Sequence, residues 1–265
     1  MQNHESSADR PLVYFALVVL LSMPLWLVGG SPLPIPIDLP ISSLMSLIPV
    51  IAASLLVYRQ NGFSGVKDLF KKAFDARKID KKLWYLPILL INPLIFLLSY
   101  AILRWAGQPL PEPQTPLLLA PVFFAVFFIT AATEELGWMG YAFEPMQKRW
   151  GALKAALVLG IVWQLWHIIP DIQFQQAVSW ILWHRLGSVA LRVLIVWLYN
   201  NSGKSVFSAI LCHTMNNVSW SMFPNYGSHY NPFVTGILMG LAAIIVVIGW
   251  GSKTLAGFRR ENALH

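Results

Sequence analysis

Taken as a pattern of apolar and polar positions, the chain is a succession of long apolar runs separated by short polar stretches. Runs long enough to cross about 30 Å of hydrocarbon fall near residues 11–30, 41–57, 84–103, 117–143, 155–169, 180–199, 206–222 and 233–250. They predict an all-α fold: a polytopic bundle of about eight transmembrane helices. The connections are too short for a second, soluble domain, so residues 1–265 are expected to form one integral membrane domain. Two stretches punctuate the pattern. Ser31–Pro40 is proline-rich and cannot continue a helix. Between 66 and 82, Val66, Leu69, Phe70, Ala73 and Phe74 recur at helical spacing beside lysines. That spacing predicts an amphipathic helix on the membrane surface, with a solvated basic loop as the plainer alternative. The polar arm Met1–Arg10 precedes an apolar run without a small-residue cleavage pattern. It reads as the start of a retained span and not as a signal peptide.

Composition strengthens the membrane reading. Hydrophobic residues make up 56% of the chain and charged residues 12%, against about 25% charged in ordinary soluble domains. The net charge of +7 raises the question of nucleic acid, but 16 of the 19 Lys and Arg lie in the N-terminal arm, three interhelix loops and the tail. That distribution is a topology signal, and no nucleic-acid partner is expected. The loop Arg59–Lys82 is the most basic and is assigned to the cytoplasm. Alternate counting then places both termini there, in a multi-pass protein of the cell membrane. Cys212 is the single cysteine, which excludes an internal disulfide and a cysteine-built zinc site.

Ionisable groups within spans are costly and mark function. Here they cluster. The fourth span holds Glu134 and Glu135 in TEELGWMGYAF, the fifth ends WQLWH at His167, and the seventh carries His213 and Asn217 in HTMNN. His213 and Asn217, four apart, share a helix face, with Asn216 as a nearby competitor. Trp150 and Gly151 lie about midway between Glu134 and His167, so an antiparallel pair folded at that elbow puts both at one height. Counting residues from the elbow and from Lys204 predicts a projecting elbow and a site open to the cytoplasm. A carboxylate and an imidazole that share a water make a general base. A second His with an Asn amide supplies donors for a developing oxyanion. These are parts of a peptide hydrolase without a covalent nucleophile, acting on a membrane-associated peptide or protein. Glu134, His167 and His213 could equally hold Zn²⁺ with an open position. Residue type alone separates neither mechanism, and it gives no oligomeric state.

With these residues in view, the chain resembles the CPBP (Abi) family of intramembrane proteases, which includes the type II CAAX prenyl endopeptidase. The family motifs EExxxR, FxxxH and HxxxN correspond to Glu134-Glu135, to Trp163 through His167, and to His213 through Asn217. The likeness covers roughly residues 84–222. It implies a helical catalytic core, a water activated by Glu134 with His167, and an oxyanion site of His213 and Asn217; whether a metal takes part is left open. Two positions depart from the pattern. Trp163 replaces Phe, and Met139 replaces the motif Arg that would neutralise Glu135. Arg185 and Arg192, seven apart in the sixth span, share a face and need a counter-ion. One of them is expected to pair with Glu135.

Other readings compete. Met139 favours a catalytically weak relative that acts by binding, such as a membrane scaffold or a bacteriocin-immunity factor. A small transporter is a third class, disfavoured by the lack of recognisable inverted repeats. A Cys212-His213 nucleophilic pair is disfavoured because neighbours on a helix point about 100° apart. His184 reads as structural and His229 as a loop residue. Trp138, Trp163 and Trp166 read as packing aromatics, with those flanking the site available to wall a cleft.

Overall fold

The computed structural model describes residues 10–29, 41–112 and 115–257. The arm before Arg10, the proline-rich connection and the tail arginines Arg259 and Arg260 lie outside the described residues. Those described form α-helices joined by short turns, with no strand among them. The helices are α1 (Arg10–Val28), α2 (Ile48–Lys71), α3 (Tyr85–Trp105), α4 (Ala120–Gly137), α5 (Glu144–Trp150), α6 (Ala152–Gln173), α7 (Val178–Asn201), α8 (Val206–Met222) and α9 (Pro232–Trp250).

Every apolar run of the sequence has its helix. Seven helical stretches are long and apolar enough to cross a membrane. The exception is α8, with 17 residues. Its faces are largely buried against other helices, so it needs little lipid-facing surface and has room for the polar residues of its sequence. Two stretches, Ile41–Phe74 and Leu117–Trp150, run to 34 residues each. At 1.5 Å per residue each is about 51 Å long, well beyond the hydrocarbon. The first is broken at Gly62, whose φ of 63° only glycine adopts freely. Of the segment beyond it expected to form an amphipathic helix, the part to Phe74 is helical, with Leu69 and Ala73 turned to the bundle and Phe70 and Phe74 turned outward.

The second long stretch stays helical but changes pitch. Trp138–Phe143 forms a π-helical segment between α4 and α5, and the chain then reverses at Gly151, which has φ 79°. A side chain at Gly151 would also press on the Lys253 carbonyl oxygen, 3.1 Å from an ideal Cβ. The elbow read from the sequence is thus a real reversal, and α5 carries it out beyond α4.

Contacts sort the connections into two ends. At the basic end, Lys72 donates to the Gly140 carbonyl (2.6 Å) and Lys204 pairs with Glu144 (2.6 Å). Asp75 caps α8 there, accepting from Ser205 Oγ (2.7 Å) and from the Phe207 amide (3.1 Å). These bonds satisfy amides that the first turn of a helix leaves without partners. At the other end, the Tyr226 amide donates to Thr115 Oγ1 (3.1 Å) and His184 bonds Tyr230 (3.1 Å). Inside, Asn92 of α3 donates to the carbonyl (2.9 Å) and sulfur (3.3 Å) of Cys212. This fixes α8 against α3.

At Gly137 α4 comes close to α1 and α2. A Cβ there would lie 2.2 Å from Tyr14 Oη and 2.5 Å from the Pro49 carbonyl oxygen. The substitution Gly137→Val is expected to separate α4 from α1 and α2 and to destabilise the protein by about 1–3 kcal/mol. A lowered melting temperature of the detergent-solubilised protein checks this.

Candidate active site

The two adjacent glutamates of α4 point in different directions. Glu135 is fully buried, and both of its oxygens are engaged. Oε2 accepts from Arg192 Nη1 of α7 at 2.6 Å, and Oε1 lies 2.9 Å from His213 Nδ1 of α8. Glu134 is 7% exposed and faces a cleft of about 350 Å³. Its Oε2 accepts from the Trp163 indole N–H at 2.8 Å, and its Oε1 takes no bond from the described residues. Successive positions on a helix differ by about 100°, so one carboxylate serves the core and the other the cleft.

The expected cation is therefore found. Of the two arginines read as candidates, Arg192 pairs with Glu135 and Arg185 does not. Arg185 instead grips Asp171 through Nε (2.6 Å) and Nη2 and donates to Gln164 from Nη1 (2.8 Å). Met139 is buried in apolar packing inside the π segment. The role of the motif arginine is met from α7, by a residue 57 positions away in sequence.

Trp163 does more than replace one aromatic wall with another. Its indole N–H holds Glu134, and its face lies 4.1 Å from the Arg192 guanidinium. Phe could offer only the face. This hydrogen bond was not foreseen from the sequence; its signal was the indole nitrogen, the one polar atom gained at a Phe position beside two buried carboxylates.

His167 Nδ1 lies 2.9 Å from the Trp163 carbonyl. A carbonyl only accepts, so Nδ1 carries the proton and Nε2 keeps its lone pair. His213 is oriented in the same way, with Nδ1–H directed to the Glu135 carboxylate and Nε2 left over. The Asn216 amide donates to Asn217 Oδ1 (3.3 Å), which leaves the Asn217 N–H groups as donors. Glu134, His167, His213 and Asn217 all line the one cleft, together with Asn216. Glu135 does not.

Other sequence readings resolve case by case. Trp138 and Trp166 pack behind the site, edge to face with ring centroids 5.7 Å apart, and Trp166 donates to Ser22 of α1 (2.8 Å). His184 lies on Trp180 and bonds Tyr230, and it lines the same cleft. Cys212 is turned to Asn92 and away from the cleft. Among the described residues no three His, Cys, Asp or Glu side chains gather closely enough to hold a metal ion. The set read as a Zn²⁺ alternative, Glu134, His167 and His213, shares the cleft without sharing a coordination point.

The direction of opening reverses the expectation. The cleft reaches Phe174, Gln176, Trp180, Trp220 and Tyr230, all at the end away from the lysine-rich loops. Toward the basic end it is closed by buried side chains of the π segment, of Ile195–Leu198 and of Val206–Leu211. The elbow does project at the basic end, and Trp138, Met139, Ala142 and Phe143 between it and the glutamates are buried. Besides α4, α6 and α8, the walls include Ser188 and Leu191 of α7 and Thr235 and Met239 of α9.

With this geometry in hand, comparison with known proteins is direct. Residues 116–219 match the family model described as type II CAAX prenyl endopeptidase Rce1-like. The chain is also 30% identical over 173 residues to a Methanococcus maripaludis protein named CAAX prenyl protease 2. The helical core is thus similar to the Rce1-like family. The alignment covers 60% of this chain and 61% of that relative, so the chain spans somewhat under two thirds of its length. The Rce1-like match begins just before α4 and ends within α8, and it contains Glu134, Glu135, Trp163, His167, Arg192, His213 and Asn217.

Two measurements test the site's architecture. Arg192→Met orphans a buried carboxylate and is expected to cost about 3–5 kcal/mol. Met139→Arg places a second cation where the first already serves, and it is expected to lower the melting temperature without improving any activity. The cleft can be mapped by thiol labelling, since the lone cysteine is buried. Ser188→Cys is expected to react with a hydrophilic maleimide and Leu198→Cys, deeper on the same helix, to remain unreactive. In sealed vesicles Ser188→Cys is expected to label from the face opposite to that labelling Lys148→Cys.

Proposed function

We propose that the protein is an intramembrane endopeptidase that hydrolyses a peptide bond by side-chain activation of water. The observation carrying this reading is that Glu134, His167, His213 and Asn217, from three helices, line one cleft, with His213 held from behind by the buried Glu135–Arg192 pair.

In the proposed reaction a water sits between Glu134 Oε1 and His167 Nε2. Glu134 takes a proton as the water oxygen bonds to the carbonyl carbon. The carbonyl oxygen becomes negative and meets the Asn217 amide and the His213 ring. Glu135 holds that ring through Nδ1, and Arg192 holds Glu135 in place. Collapse of the tetrahedral species breaks the C–N bond, and the leaving nitrogen receives the proton taken from water, relayed by Glu134 or His167. Glu135 and Arg192 thereby act as positioning residues, whereas Glu134, His167, His213 and Asn217 touch the reacting atoms. No step is assigned to a metal, because the three candidate ligands do not converge.

The substrate is a membrane-associated peptide or protein that reaches the cleft from the end away from the lysine-rich loops. The names of the matched family and relative make a CAAX prenyl peptide the first candidate to assay. The rival reading, a catalytically weak binding protein, drew its support from Met139. It loses that support once Arg192 supplies the counter-ion.

Activity is read as cleavage of CAAX prenyl peptides and as membrane peptide profiles. Glu134→Gln and His167→Ala are each expected to lower the rate by at least about 100-fold, with Trp163→Phe between these and wild type. EDTA is expected to leave the rate unchanged. Identical product profiles for wild type, Glu134→Gln and His167→Ala would overturn the enzyme reading.

A further inference from the structure

The basic end holds a second concavity, unconnected to the candidate active site. A groove of about 860 Å³ lies between the elbow, the start of α6 and the segment following α9, and it is lined by Lys148, Arg149, Lys154, Lys204 and Lys253. Of these, Lys204 is neutralised by Glu144. The other four are exposed and have no carboxylate partner among the described residues.

Their placement is built and not loose. The Trp150 ring lies between Arg149 (5.6 Å) and Lys154 (5.9 Å), which holds both cations at the groove. Lys253 is fixed by its backbone: its carbonyl accepts from the Ala152 amide at 2.8 Å, and the neighbouring Ser252 carbonyl accepts from Leu153 at 3.0 Å. The floor is a reciprocal amide pair, Gln147 with Asn200, and Asn200 also donates to the Thr254 carbonyl (2.7 Å). Four like charges held around one concavity repel each other, and a multiply bonding anion relieves that cost.

The chemistry of the anion follows from what adjoins the groove. Leu157 lines it, and Leu157, Ile161 and Leu165 recur every fourth residue along α6, all exposed. An aliphatic track thus leads from the cation cluster down the outside of a membrane helix. A soluble phosphate would use the cations and leave the track bare. A phospholipid uses both, with its phosphodiester among the cations and an acyl chain along α6.

We propose that this groove is a binding site for an anionic phospholipid. The proposal is independent of the peptidase reading. It is tested by native mass spectrometry of the full-length protein exchanged from detergent into phosphatidylglycerol, phosphatidylcholine or soluble glycerol phosphate. Wild type is expected to retain phosphatidylglycerol at least about tenfold more strongly than phosphatidylcholine and to hold no glycerol phosphate. The fourfold variant Lys148→Gln, Arg149→Gln, Lys154→Gln, Lys253→Gln is expected to lose that preference. A control removes the same charge from the same end outside the groove: Arg59→Gln, Lys67→Gln, Arg77→Gln, Lys81→Gln. It is expected to keep the preference. The proposal is overturned if the groove variant binds as wild type does, if the control loses as much, or if glycerol phosphate binds as well as the lipid.

Discussion

The ion pair between Arg192 and Glu135 is the interaction on which the arrangement of the core rests. Both side chains are completely buried, in a chain whose surroundings are apolar side chains and lipid. Neither could be charged there alone, because an unpaired ion in such a medium costs several kcal/mol. Pairing therefore ties α7 to α4 through the long arginine side chain, and the second Glu135 oxygen draws in α8 through His213. Trp163 of α6 completes the set by covering the guanidinium. Arg192 Nε and Nη2 have no hydrogen-bond partner among the described residues, and the indole face lying over them supplies electrostatic compensation. Four helices are thus fixed by one buried charge and its neighbours.

The same constraint explains why two adjacent carboxylates have different tasks. Glu135 is saturated by a guanidinium and an imidazole and has nothing left to offer a substrate. Glu134 receives a single indole hydrogen bond and keeps one oxygen at the cleft. Trp163 touches both systems, so a single side chain sets the position of the cleft carboxylate and shields the ion pair that orients the opposing histidine. The π segment that follows the glutamates lets Met139 sink into apolar packing where the family pattern has arginine. With the cation supplied across the bundle, an apolar residue at that position is the stable choice.

Polarity is divided between the two ends of the bundle. The basic end is tied by Lys72, Asp75, Glu144 and the amide network of Gln147 and Asn200. The opposite end is where α6 through α9 part to form a cleft lined with aromatic and amide side chains. For the proposed hydrolysis, groups held by the tied half and a cleft open at the other give the preorganisation that such a reaction needs.

Much of this was legible in the residues themselves. Apolar run length gives the helices, since only about 20 apolar residues in helical form span the hydrocarbon with all backbone groups paired. The cost of charge in a membrane singles out Glu134, Glu135, His167, His213 and Asn217, and the same cost demands a cation for Glu135 even though Met139 supplies none. What sequence could not decide is which of Arg185 and Arg192 answers that demand, because both share a helix face and only the packing of α7 against α6, α8 and α9 selects one. It could not reveal the hydrogen bond from Trp163 to Glu134, which depends on how α6 rotates against α4. Nor could it give the direction of opening: residue counts fix depth along a helix, whereas the side on which a site is sealed depends on how side chains from distant segments fill the space beneath it.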